Sequence, residues 1–158
     1  MLIIADTSAL VALAACQQLH LLEFLFDAIR VPPAVHRECT VPGKPEADAL
    51  GEYLNGKVAN VTLSEFVIAV SGLGQGELEA MALYRKLSAD KLLLDDQRAR
   101  KVARFNGMQV IGSVGVLVAA RQQGHVQALR PLLETIRRAG IHISDALVLE
   151  ALRLAGET

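Results

Sequence analysis

Tryptophan is absent, and aromatic residues make up only 4% of a chain that is 52% hydrophobic. A core of that composition is built from Leu, Val, Ile and Ala, which suits helices on a parallel sheet better than an aromatic-rich β-sandwich. Cysteine is almost as scarce: Cys16 and Cys39 stand alone, without CxxC spacing. That argues against a disulfide scaffold and suits a reducing compartment. No apolar stretch approaches the roughly 20 residues that cross a bilayer. The apolar run Ala9–Ala15 is not a secretory pattern, because no basic segment precedes it and Asp6 lies just ahead of it; a cytoplasmic location is expected. Excess charge of either sign is missing too. The formal net charge is −1, so no global field attracts nucleic acid or an anionic membrane, and any such site must be a local patch.

The 158 residues are long enough for one sizeable core, and a single domain over 1–158 is expected. Its organising stretch is Leu92-Leu93-Leu94-Asp95-Asp96, an apolar run that stops at two carboxylates and is followed by the helical pattern Gln97–Phe105. Three leucines in a row read as a strand buried on both faces. The chain begins the same way: Met1–Ala5 is apolar, Asp6 ends it, and Thr7-Ser8 leads into a helix over Ala9–Gln17. If the two strands are parallel, Asp6 and the Asp95/Asp96 pair meet at the carboxyl edge of the sheet, where open α/β sheets bind ligands.

Between these strands, His20–Ile29 carries a helical apolar stripe. Pro33 opens a short helix, Ala34–Cys39. Glu46–Leu54 is a helix ended by Asn55-Gly56, and Lys57–Leu63 alternates like a short strand. Phe66–Val70 is apolar and ambiguous. Gly72-Leu73-Gly74-Gln75-Gly76 is a hinge into the helix Glu77–Ser88. After the organising strand and its helix come a short strand, Gln109–Ile111, and helices over Ser113–Gln122, Val126–Arg138 and Ser144–Leu154. Strands alternate with helices throughout, which defines an α/β class with a parallel sheet.

Acids recur at element ends: Asp6, Glu38, Glu77, Asp95 and Asp96. Carboxylates gathered within a few ångströms repel one another, and a divalent cation removes that cost. All-oxygen ligation without a His or Cys pattern points to Mg²⁺ or Mn²⁺ rather than zinc. Such an ion holds a phosphodiester, acidifies a bound water and stabilises the leaving oxygen, so hydrolysis of RNA or DNA follows. Each acid also has a purely structural explanation, which for Glu38 is a plain solvent-facing position. Asp6 and either member of the Asp pair can cap the helix that follows, and Glu77 sits where first-turn acids are commonplace. One aspartate suffices for a cap, however, and an adjacent pair at a buried strand end is electrostatically wasteful. Glu79 falls on the opposite side of its helix from Glu77 and stands outside the set.

The glycine hinge is not a phosphate loop, since no Lys-Ser/Thr follows it; its use is close approach of the chain, delivering Glu77 to the edge. Arg98, Arg100, Lys101 and Arg104 form the densest basic cluster. Most of it reads as solvated surface, with Arg98 placed to neutralise the Asp pair or hold a phosphate. Ser113 reads as a helix cap or as a hydrogen-bond partner of a metal-bound water.

Four segments in order carry a resemblance: Ile4–Leu10, Val31–Glu38, Gly74–Ala80 and Leu92–Asp96, with Ile111–Leu117 extending it. Together they resemble the PIN-domain family, and most closely its short VapC-like prokaryotic branch. The resemblance implies a three-layer fold, a parallel sheet flanked by helices on both sides, with a metal-dependent endoribonuclease site. It also implies an RNA substrate, frequent homodimers and a small antitoxin protein that inserts near the site. Asp6 matches the first acid, Glu38 the second, Glu77 the third, and Asp95 or Asp96 the fourth. Two features depart from the pattern: the third acid is a Glu behind a glycine hinge, and the fourth is doubled. The expected function is therefore a Mg²⁺- or Mn²⁺-dependent ribonuclease, the toxin of a toxin–antitoxin pair. Asp6, Glu77, Asp95 and Asp96 are its expected metal ligands, and these together with Glu38 its catalytic set. The alternative is a catalytically weak or inactive PIN-like module that binds a partner protein or RNA. A phosphatase with an Asp nucleophile is disfavoured, because Ser8 occupies the place of the second Asp it requires.

Overall fold

The computed structural model describes residues 1–63 and 72–157. Four short strands, β1 (Leu2–Ala5), β2 (Ala28–Arg30), β3 (Lys91–Leu93) and β4 (Val110–Ile111), form one sheet in the order β2-β1-β3-β4. Every pairing is parallel. Alternation along the two central strands assigns their side chains to opposite faces. Ile3, Ala5 and Leu93 join the larger core cluster, whereas Ile4, Leu92 and Leu94 join the smaller one.

Nine helices among the described residues cover those faces. Helices α5 (Gln75–Lys86) and α6 (Gln97–Phe105) supply Ala80, Met81, Leu83, Ala99 and Ala103 to the smaller cluster. The larger cluster is closed by α1 (Thr7–Ala15), α2 (Leu21–Leu25), α3 (Pro33–Cys39), α4 (Ala47–Leu54), α7 (Ser113–Gln122), α8 (Arg130–Arg138) and α9 (Asp145–Leu154). The result is the expected three-layer α/β architecture. Cys16 and Cys39 are both free and buried, and no helix among the described residues is long and apolar enough to cross a membrane.

The sheet order fixes where a ligand can sit. The chain leaves β1 for β2 on one side, then returns to build β3 and β4 on the other. The β1/β3 boundary is thus a topological switch point, the place where open α/β sheets bind ligands beyond the carboxyl ends of the strands. Asp6 follows β1 and Asp95 follows β3, so both stand there.

Several local expectations fail; the helix expected over Val126–Arg138 starts only at Arg130. The helical stripe His20–Ile29 ends at Leu25, and Ala28–Arg30 becomes edge strand β2, paired Ile3↔Ile29 with β1. Ile29 is buried as well as in phase with the helix stripe, so periodicity alone did not separate the two. The alternating segment Lys57–Leu63 forms only an isolated parallel bridge, Val31↔Val58, because it meets the chain beyond the end of β2. The ambiguous stretch Phe66–Val70 lies outside the described residues.

Candidate active site

Asp6 is held from its backbone. Its N–H donates to the Leu93 carbonyl at 2.9 Å, extending the β1/β3 pairing by one residue. The side chain is 4% exposed. It makes no capping hydrogen bond to α1, and its buried Oδ1 has no hydrogen-bond partner among the described residues. Burial is the main cause that pushes its carboxyl up to about 7. The Thr7 amide opposes the shift, while the charges of Glu77, Glu38 and Asp95 reinforce it. These four acids therefore share one electrostatic neighbourhood at the switch point.

Each of the other three is oriented by a neighbour. Glu38, near the end of α3, accepts the Thr7 hydroxyl at 2.5 Å on Oε2. It reaches that place because α5 passes it with a glycine: a Cβ on Gly76 would stand 2.7 Å from both carboxylate oxygens. Glu77 is the third residue of α5, and its Oε1 accepts the Gly74 N–H at 3.0 Å, so the first-turn acid does cap its own helix. Asp95 accepts twice from Ser113 at the start of α7, from N–H on Oδ1 and from Oγ on Oδ2, both at 2.7 Å.

The neighbouring aspartate has a different task. Asp96 is exposed, and its Oδ2 accepts the Ala99 N–H at 2.9 Å, capping α6. The doubled acid is thus divided: Asp96 takes the cap, leaving Asp95 to face Asp6. Arg98, expected to neutralise the pair, is exposed and lies against Gly72. Its neighbour Arg100 is half-buried and donates from Nη1 to the Leu94 carbonyl at 2.9 Å. Burial and the nearby Arg104 lower its pKa, and Asp95 opposes them. Gly112 makes room for both groups, since a Cβ there would meet Arg100 Nη1 at 2.7 Å and Asp95 Oδ1 at 3.0 Å.

Thr7, Arg100 and Glu79 carry roles that sequence reasoning missed. Glu79 is indeed turned away from Glu77, but it is buried rather than solvated. It accepts the Ala34 N–H at 3.0 Å and the Gln75 amide at 2.7 Å. A carboxylate of α5 thereby satisfies an orphan N–H at the start of α3 and locks together the two helices that present Glu38 and Glu77. The signal available in sequence was modest: a carboxylate two residues from another in a helix, too close to share its face.

The acids fit a hard cation, given an orphaned carboxylate oxygen, like charges around it, and oxygen donors alone. No group of three His, Cys, Asp or Glu among the described residues is drawn tightly enough to hold an ion unaided. A cation here would take one or two carboxylates and keep several waters, as Mg²⁺ commonly does.

The fold is a parallel α/β sheet with acids gathered at its switch point. A family model described as a PIN domain, DUF3368, matches residues 2–157, and the chain belongs to that PIN-domain family. PIN domains are generally nucleases and typically use divalent metals. Nothing among curated proteins or solved structures matches the chain.

Proposed function

We propose that the protein is a Mg²⁺- or Mn²⁺-dependent endoribonuclease. The observation that carries this reading is the buried, unpartnered Oδ1 of Asp6 with the charges of Glu77, Glu38 and Asp95 around it. A core could satisfy a lone aspartate more cheaply with a hydrogen bond; gathering three more acids about it has a use only if positive charge arrives.

Asp6 and Asp95 would hold the cation, with Glu38 and Glu77 completing the site through water. The ion supplies neutralisation of the phosphodiester and acidification of a bound water. The chain's own residues do the rest. Ser113 fixes both oxygens of Asp95, and Thr7 fixes one oxygen of Glu38. Glu77 spends Oε1 on the Gly74 amide, which leaves Oε2 to accept a proton from the attacking water. At neutral pH without metal, Asp6 carries a proton part of the time; it must lose that proton to bind a cation.

The decisive experiment is RNA cleavage by purified wild-type and Asp6→Asn protein across a Mn²⁺ titration. Cleavage is expected from the wild type and none from the variant, with the fold intact because amide and carboxylate are similar in size. Full activity of the variant defeats the assignment. One observation favours a second reading, an inactive PIN-like binding module: no ready-made three-ligand group exists among the described residues. Absence of cleavage by the wild type at every Mn²⁺ concentration selects it.

Within the first reading, the order of motifs along the chain supports the toxin of a toxin–antitoxin pair, working in the cytoplasm as a homodimer and restrained by a small antitoxin. A short reading frame for a DNA-binding-type protein beside this one is the expected genomic companion.

A further inference from the structure

Beside the acidic site lies a cavity of about 790 Å³, within the range of roughly 300–1,000 Å³ typical of ligand pockets. Asp95 and Ser113 line it, so it shares a wall with the acid cluster. The other walls come from the end of the sheet, the start of α7 and the α8–α9 connection, with Ile111, Val114, Ile143 and Leu147 supplying apolar surface. We propose that this cavity seats one guanine nucleotide of single-stranded RNA beside the scissile phosphate, and that Arg100 reads the base. The inference rests on the nuclease reading for the identity of its ligand.

The occupant follows from three features. A nucleotide whose phosphate meets Asp95 must place its base within one sugar length, and the cavity is the space adjoining that carboxylate. The lining mixes apolar side chains with polar ones, and Asp95 and Asp96 both border the space and would repel an extra anion, which suits a base more than a second phosphate. Third, Arg100 lines the cavity half-buried and has a protein acceptor for only one of its donors, the Leu94 carbonyl, among the described residues. A partly desolvated guanidinium with donors to spare matches a base edge that offers two adjacent acceptors, and guanine O6 and N7 are that pair. Sequence-specific RNA recognition works in this manner on unstacked single-stranded bases.

Binding of the four ribonucleoside 5′-monophosphates to the full chain tests this without requiring catalysis. Cut-site mapping on a randomised single-stranded RNA is run in parallel. The wild type is expected to bind GMP at least about tenfold tighter than UMP or CMP, with a matching guanine preference next to the cut. Arg100→Lys, which keeps the charge but not the fork, is expected to lose the preference while still binding all four. Leu147→Glu, a change at the partly exposed mouth, is expected to weaken all four together.

Equal or absent binding of the four by the wild type overturns the proposal, as does an unchanged preference in Arg100→Lys. Self-association that Leu147→Glu abolishes while nucleotide binding is untouched also overturns it, by assigning the cavity to a second copy. The two readings fail separately. A wild type that selects GMP but cuts nothing sinks the nuclease and leaves the nucleotide seat. A wild type that cuts RNA with the same pattern as Arg100→Lys does the reverse.

Discussion

Asp6 illustrates how a functional demand shows as a stability cost. Its carboxyl has a pKa near 3.8 when exposed and about 7 in the fold. Below 3.8 both states are protonated and the fold bears no penalty. As pH rises from about 4 to 7 the unfolded chain ionises first, so stability is lost through that window, by on the order of 4 kcal/mol in total. Asn at this position cannot ionise. Asp6→Asn is therefore expected to be more stable than the wild type at pH 8 in the presence of a chelator, and about equally stable at pH 4. Urea unfolding of both proteins at the two pH values measures the difference, and a gap that does not change with pH refutes the account.

Gly76 makes the opposite trade. Alanine would improve α5 by about 1 kcal/mol in helix propensity, yet its Cβ would displace the Glu38 carboxylate that now sits where the Cβ would go. Gly76→Ala is expected to melt no lower than the wild type while cutting RNA up to about 100-fold more slowly, since small misplacements of catalytic groups have effects of that size. A variant with lower melting temperature and unimpaired turnover contradicts it. The strand-end positions of Asp6 and Asp95 were legible from apolar runs that stop at acids. The division of labour between Asp95 and Asp96 was not, because it depends on which carboxylate Ser113 reaches from 18 positions away.

Among the elements, α3 and α5 form the unit that matters most, and Glu79 is its fastener. The sequence placed both helices and their proline and glycine starts, because caps and breakers are local chemistry. It did not show that a carboxylate of one would cap the other, since that contact spans 45 positions. Glu79→Ala strands the Ala34 N–H and opens a buried gap, and is expected to cost about 1–3 kcal/mol. Glu79→Gln keeps an acceptor for that N–H and should cost clearly less. Activity should fall with Glu79→Ala beyond what unfolding explains, because Glu38 and Glu77 lose their mutual register. Thermal unfolding and single-turnover cleavage at 25 °C, compared across both variants, separate the two effects. The missed strand β2 has a similar origin: with three residues, it exists only because β1 offers it an edge.

Taken as a whole, the molecule concentrates its electrostatic cost at the one place where its sheet order reverses. Nearly all of the buried interior is aliphatic, and the buried polar residues among those described are Asp6, Glu79 and Ser113. One is the orphan, one orients its partner, and one joins the helices that present the rest. If a divalent cation completes this arrangement, it must stabilise the fold by mass action, by about 2.7 kcal/mol at a hundred times its Kd. For a domain of this size that corresponds to a rise in Tm of roughly 5–10 °C. Proton and cation compete for Asp6, so the Mn²⁺-induced rise should grow as pH climbs from 6 to 8, following the carboxyl that titrates near 7. Asp6→Asn should show little rise at either pH. A wild-type increment that is the same at pH 6 and 8, or that Asp6→Asn retains, would place the cation elsewhere and detach the buried acid from metal chemistry.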